Sequence, residues 1–532
     1  MRSSSLSCRP GCLLPEPLDR RLLLTSTAIV DHAHLIITGD EGANTIDVAF
    51  DLARDEIIVT LDGATPQRFV LEKLSAIFVD AAGGDDDVSY SVPRFKHNTL
   101  QGGSGDDTIS GSSRANIIDG GEGEDSLLGG GGDDVVDGGA GNDTIVGDFG
   151  RDSLRGGGGH DTLEGGFETD TLEGDAGNDT LRGQGDNDFL DGGAGTDLID
   201  GGSNSWGNVY PDIRTNGDFA VYTTRTADLN LSLDSVANDG ETGENDNLIF
   251  TEMILAGAGN DTLEGDIHNN VLDGGEGHSF IFGQGGDDVL VSGDLADSLD
   301  GGSGNDRLYA HRGGDTLWGQ GGNDSLYGDS GNDFLDGGPG NDYLLGGKQA
   351  DVVLGQSGND AIDAADANYH REVVGPADAA PDTLSGGSGM DWLLYSSYDR
   401  GILSAPVSVT FDGIDNDGMA GEKDNVASDF DVIGLTEFDD FIDVSGLPAR
   451  RYINGWTGDD TIIGSAGADT IYGDAGDDSI TGGAAEDRLF GGVGNDTFLA
   501  DDGFRDVIRG EEGTDSADTD VLDVAFFVET TS

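Results

Sequence analysis

One aspartate and one apolar residue recur every nine residues, and they keep this register over long stretches of the chain. From Gly102 to Asp200 the sequence divides into eleven nine-residue units without an insertion. Ala256 to Asp363 gives twelve more, and Gly455 to Leu499 five. Gly138-Gly139-Ala140-Gly141-Asn142-Asp143-Thr144-Ile145-Val146 is representative. The eighth position is apolar in all 28 units, and the sixth is Asp in 25, the exceptions being Asn116, Asn270 and Ser279. One apolar residue in nine cannot make a helix face, which needs three or four per two turns. It can point inward from a three-residue strand that follows a Gly-rich turn. Two units then close one coil of about 18 residues, and coils stack as parallel strands roughly 4.8 Å apart.

The expected fold is therefore all-β, a parallel β-roll solenoid in about three repeat blocks, with a small N-terminal β-domain and two β-rich inserts. Such a coil has thin hydrophobic support. Each buried Leu or Ile contributes about 1.5–3 kcal/mol, whereas ordering nine residues costs roughly 13 kcal/mol. Stacking also places sixth-position carboxylates in rows, for example Asp125, Asp143 and Asp161. The metal-free roll is expected to be unstable.

Composition sharpens that expectation. The 532 residues carry 104 Asp and Glu against 26 Lys and Arg, a net charge of −78. This excludes nucleic acid and anionic membranes as partners, and no apolar run is long enough for a transmembrane segment. High charge with modest hydrophobicity ordinarily means disorder, unless cations neutralise the carboxylates. A hard divalent ion does so: Ca2+ takes six to eight oxygens at about 2.3–2.6 Å in irregular geometry, whereas Mg2+ demands a near-ideal octahedron. Zn2+ and Cu2+ prefer nitrogen or sulfur, and the 8 His are scattered. On the order of 20 to 28 Ca2+ ions would cancel about 40 to 56 charges.

The pattern Gly-Gly-x-Gly-x-Asp-x-apolar-x resembles the RTX, or hemolysin-type, calcium-binding nonapeptide repeat of bacterial secreted and surface proteins. Degenerate units extend the resemblance to Gly386–Leu394, Leu435–Asp443 and Asp501–Arg509. It implies a β-roll in which the sixth-position Asp and nearby turn backbone ligate Ca2+. Carried over residue by residue, the metal ligands are Asp107, Asp125, Asp134, Asp143, Asp152, Asp161, Asp170, Asp179, Asp188 and Asp197 in the first block. In the second they are Asp261, Asp288, Asp297, Asp306, Asp315, Asp324, Asp333, Asp342, Asp351 and Asp360. Asp391, Asp460, Asp469, Asp478, Asp487 and Asp496 complete the set. Asn116 and Asn270 are weaker ligands, and Ser279 marks a lost or altered site.

Between the blocks the sequence changes character. Residues 1–34 read as a leader, with Cys8 and Cys12 as the only cysteines and Glu16–Leu23 similar to a short motif of bacterial surface proteins. Residues 35–101 read as a small β capping domain with degenerate repeats, before roll 1 at 102–202. Roll 2 covers 256–363, a linker 364–385 and roll 3 455–509, followed by a C-terminal cap at 510–532. Segments 203–255 and 386–454 carry two copies of one insert, DSVANDGETGENDN from Asp234 and DGIDNDGMAGEKDN from Asp412. Their oxygens could hold further metal, but the spacing fails the EF-hand pattern.

No His-Glu-x-x-His and no Gly-x-Ser-x-Gly motif occurs, and no uninterrupted stretch outside the repeats is long enough for a catalytic domain of ordinary size. The expected role is non-enzymatic: a secreted or cell-surface structural or adhesive protein that folds on extracellular Ca2+, partnered by matrix, cell-surface polysaccharide or other surface proteins. The alternatives are an extracellular hydrolase- or epimerase-like enzyme with an unrecognised catalytic segment, or an ice- or carbohydrate-binding roll. For the last, the ladder Thr144, Thr162, Thr180 is short, ending at Ser126 and Leu198.

Overall fold

The computed structural model describes residues 27–31, 33–70, 74–93, 98–203, 217–364, 382–395, 406–411, 417–419, 424–528 and 530–531. Most of the leader, including its two cysteines, most of the linker and much of the second acidic loop lie outside them. Every regular element among the described residues is a β-strand. The chain divides into two units, 1–204 and 205–532.

In the first unit alternate repeats feed two parallel sheets. One contains Asn98–Ser104, Ile117–Glu122, Val135–Ala140, Ser153–Gly158, Thr171–Ala176 and Phe189–Asp191, each paired in parallel with the next. The other contains Thr108–Ser110, Ser126–Gly131, Thr144–Phe149, Thr162–Phe167, Thr180–Gly185 and Leu198–Ser203. Partners are 18 residues apart, as in Leu127↔Ile145 and Ile145↔Leu163.

Residues 34–90 supply the first coils of the same sheets. His34–Thr38 pairs in parallel with Ala76–Asp80, and Thr45–Asp51 with Asp87–Tyr90. Antiparallel strands close this end: Thr27–Asp31 on one sheet, Glu56–Leu61 and Gln67–Val70 on the other. They pair with backbone groups that would otherwise form an open sheet edge.

The second unit repeats the plan. One parallel sheet runs from Phe219–Val221 to Val524–Phe526 without a break, crossing both the linker and the second insert through Ala361↔Trp392, Trp392↔Val432 and Val432↔Tyr452. The opposing layer is in two parts. Each begins with an antiparallel hairpin from an insert, Leu229–Ser232 with Gly240–Glu241, and Val407–Val409 with Gly418–Met419. The two inserts thus share register as well as sequence. Asp239 accepts from the Ser232 N–H (2.6 Å) and hydroxyl (3.1 Å), and Asp417 accepts from Thr410 in the same way (2.6 and 3.0 Å). These two carboxylates staple the hairpins.

The core is two files of eighth-position side chains between the layers, one file from each sheet. Ile109, Ile145, Leu163, Leu263, Leu326, Ile462 and Phe498 are all fully buried. Ninth- and third-position side chains point outward, and neighbours stack there: Tyr472 on Phe490 at 4.5 Å from the ninth position and Phe149 on Phe167 at 4.9 Å from the third.

Candidate metal centres

All 26 sequence-predicted aspartates lie at the turns with 0–5 % exposure. Their backbones and side chains form rows running along each unit. The Asp107 N–H donates to Oδ1 of Asp125, Asp125 to Asp143, and Asp143 to Asp161, each at 2.8 Å. The opposite edge repeats this from Asp134 to Asp152 (2.8 Å) and Asp152 to Asp170 (2.7 Å). In the second unit Asp288, Asp306, Asp324, Asp342 and Asp360 are joined at 2.8–2.9 Å. One carboxylate oxygen per aspartate therefore serves as a backbone acceptor between coils.

The second oxygen has a different environment. In Asp125, Asp143, Asp306, Asp324 and Asp460, among others, Oδ2 is shut off from solvent and no donor reaches it. It lies against backbone oxygens instead. A Cβ placed on Gly102 would overlap Asp107 Oδ2 and lie 2.6 Å from the Gly120 carbonyl oxygen of the next coil. At the fourth position, Gly123 (φ +137°) sits so close over the Gly105 carbonyl that no side chain fits. The glycines thus do more than turn the chain: they let carbonyl oxygens of successive coils crowd around a buried carboxylate.

Oxygen facing oxygen with no proton between is unfavourable. Burial, the largest influence, pushes Asp125 up to about 7 and Asp170, Asp288 and Asp460 up to about 8; backbone donation opposes it, and neighbouring carboxylates add to it. Such a site calls for a positive species.

Turns lacking the sixth-position Asp show what the site wants. Asn116 keeps the backbone link to Asp134 Oδ1 (2.6 Å), and its Nδ2 donates to the Arg114 carbonyl and to the Gly129 carbonyl (3.2 Å). An N–H therefore lies between oxygens where the Asp turns leave carboxylate against carbonyl. Ser279 instead turns its hydroxyl onto the Gly274 carbonyl at 3.2 Å. In a second kind of turn the residue at position two is not left-handed, and its N–H caps the sixth side chain: Thr436 to Asp440 (2.7 Å) and Ser465 to Asp469 (2.6 Å). Asp469 is thereby satisfied within its own turn, unlike most of the predicted ligands.

The rows also contain residues that the nine-residue count does not reach. Asp351 donates to Asp382 (2.9 Å) and Asp382 to Asp424 (3.0 Å), across 31 and 42 residues. Beyond Asp496 and Asp487 the rows continue to Asp515 and Asp506. Arg451 occupies a sixth position in Gly446–Asn454, a unit recognisable from Gly446 and Ile453. Its side chain is buried, donating to the Arg450 carbonyl (3.1 Å) and the Ser428 carbonyl (3.0 Å), with Asp431 at 3.9 Å. A guanidinium here takes carbonyl oxygens as its partners, in a row otherwise made of carboxylates.

Carboxylates and carbonyls held in this array are a hard-cation donor set, and they recur with the repeat. The RTX calcium-binding nonapeptide repeat matches the sequence in overlapping segments covering 96–205, 250–368 and 454–505, more than half of its length. The chain belongs to the RTX calcium-binding repeat family. No curated protein matches it. RTX repeats occur in both units of the fold, and the donor set of their turns suits Ca2+. Asp107, Asp125 and their counterparts would hold the ions, with the adjoining Gly carbonyls. Bound Ca2+ supplies positive charge between the coils, and the chain supplies a dry array of oxygens spaced by its own strand ladder.

Proposed function

We propose that this RTX protein is a secreted or cell-surface structural protein, non-enzymatic, whose coils form when extracellular Ca2+ fills the aspartate rows. The observation that carries this reading is the buried carboxylate oxygen without a donor, repeated turn after turn beside backbone carbonyls. A net charge of −78 opposes compaction of the metal-free chain. Where Ca2+ is scarce the chain stays extended, which suits export. Extracellular modules bind Ca2+ near 10⁻⁴–10⁻³ M, on the order of its concentration outside cells. Folding and binding are then one equilibrium. Adhesion to matrix or to cell-surface polysaccharide is the role such a calcium-set rod would serve.

The test is far-UV circular dichroism of the full chain stripped with chelator, titrated with Ca2+ and in parallel with Mg2+. A cooperative gain of β signal at sub-millimolar to millimolar Ca2+, absent with Mg2+, supports the reading. A chain fully folded in chelator and indifferent to Ca2+ overturns it.

A further inference from the structure

The last coils of the second unit depart from the repeat in a way that concentrates charge. Residues 501–509 keep Asp506 and Ile508 at the sixth and eighth positions, but Asp501 and Asp502 stand where glycines usually open a unit. The Asp502 N–H donates to the Ala500 carbonyl at 3.0 Å, and its Oδ1 accepts from the Phe504 N–H at 2.9 Å. This turn fixes the side chain against the row. One carboxylate oxygen from each of Asp487, Asp502 and Asp506 lies within 4.8 Å of the other two. Among the described residues this is the single place where three such groups meet.

Asp487 and Asp506 are 1 % and 0 % exposed. Their Oδ1 atoms are taken by the N–H groups of Asp469 and Asp487, both at 2.8 Å. The Oδ2 atoms of all three aspartates are closed to solvent and lack any hydrogen-bond donor. Asp502 lies nearer the surface than the two buried aspartates, and three carboxylates at this separation repel one another strongly unless a cation lies among them. Ca2+ takes carboxylate oxygens at about 2.3–2.6 Å in irregular geometry. The repeat turns offer sixth-position carboxylates and neutral carbonyls; here the second position adds a further charged ligand, and calcium affinity rises with ligand charge.

We propose that Asp487, Asp502 and Asp506 form a distinct Ca2+ site, tighter than the sites of the regular turns. The proposal rests on the reading of the roll as calcium-binding. Its test is calorimetric titration of chelator-stripped full-length protein with CaCl2. The wild type is expected to show a class of about one ion with Kd at least about tenfold below the remaining ions. Asp502→Asn keeps the acceptor for the Phe504 N–H, so the turn is retained while the charge is lost. That variant should move the one ion into the weaker class, with the other ions and the β signal unchanged. Asp474→Asn, a charge loss at the second position of a regular unit, should leave the tight class intact. A single affinity class in the wild type, or an Asp502→Asn isotherm that overlays it, overturns this site while leaving the calcium roll standing. Failure of the wild type to take up Ca2+ at all overturns both.

Discussion

At the scale of the residue, the sixth-position aspartate has two jobs that different substitutions separate. Oδ1 holds the next coil through a backbone N–H, and Oδ2 faces carbonyls. Asparagine keeps the first job and, as Asn116 shows, fills the second with an N–H. Asp324→Asn should therefore cost about one bound Ca2+ with little loss of thermal stability in Ca2+, whereas Asp324→Ala, which loses both, should lower stability by roughly 1–3 kcal/mol. Calorimetric stoichiometry beside thermal melts checks the pair. The same oxygens set a pH dependence. Burial raises Asp288 to about 8, Asp324 to about 7 and Asp306 to about 6 in the folded chain, from an ordinary 3.8. A raised carboxylate pKa stabilises the metal-free fold fully below the unfolded value, and that contribution is lost as pH rises from about 4 through 6–8. In chelator, the β signal should be stronger at pH 5 than at pH 8. With Ca2+ present, protons compete for the same oxygens, so the calcium midpoint should rise as pH falls from 8 to 5.

At the scale of the element, the turn decides whether a coil needs metal. A left-handed second position, as in Gly121 or Gly139, leaves the sixth carboxylate without a local donor. A Thr or Ser there, in an ordinary conformation, supplies one. Arg451 goes further, carrying its own positive charge into the row. Arg451→Met should destabilise the coils around Tyr452–Asn454 by about 1.5–3 kcal/mol through loss of its charged hydrogen bonds. Because no metal site replaces the guanidinium, excess Ca2+ should not restore the melting temperature. These differences mark how far the sequence could be read. The sixth and eighth positions were legible because each carries one recurring demand, a carboxylate at the turn and an apolar side chain in the narrow core. Asp382 and Asp424 were not, since insertions of irregular length separate them from the row they continue. Arg451 was hidden because its residue type breaks the pattern while its register keeps it. The contrast between Gly and Ser at position two emerges only from backbone conformation, which composition does not report.

At the scale of the whole molecule, continuity of the sheet across the inserts couples stretches that the sequence divides. In the second unit, Leu393 is fully buried and pairs with Ile362 on one side and Ile433 on the other. The coils before and after the second insert therefore share one unbroken ladder. Solenoid stability is a sum of coil and nearest-neighbour terms, so order passes along such a ladder only through each successive interface. Leu326→Asp puts a charge inside residues 256–363 and should unfold coils there, because a buried unpaired charge costs several kcal/mol. Leu393→Asp strikes the junction instead. In the wild type, peptides from 256–363 and from 455–512 should gain hydrogen-exchange protection at the same Ca2+ concentration. In Leu393→Asp both stretches should still fold, but at two separate Ca2+ midpoints, with protection lost around 383–395 and 425–434. A common midpoint in that variant would mean that the two stretches respond to Ca2+ independently and in parallel, and that the continuous ladder transmits nothing.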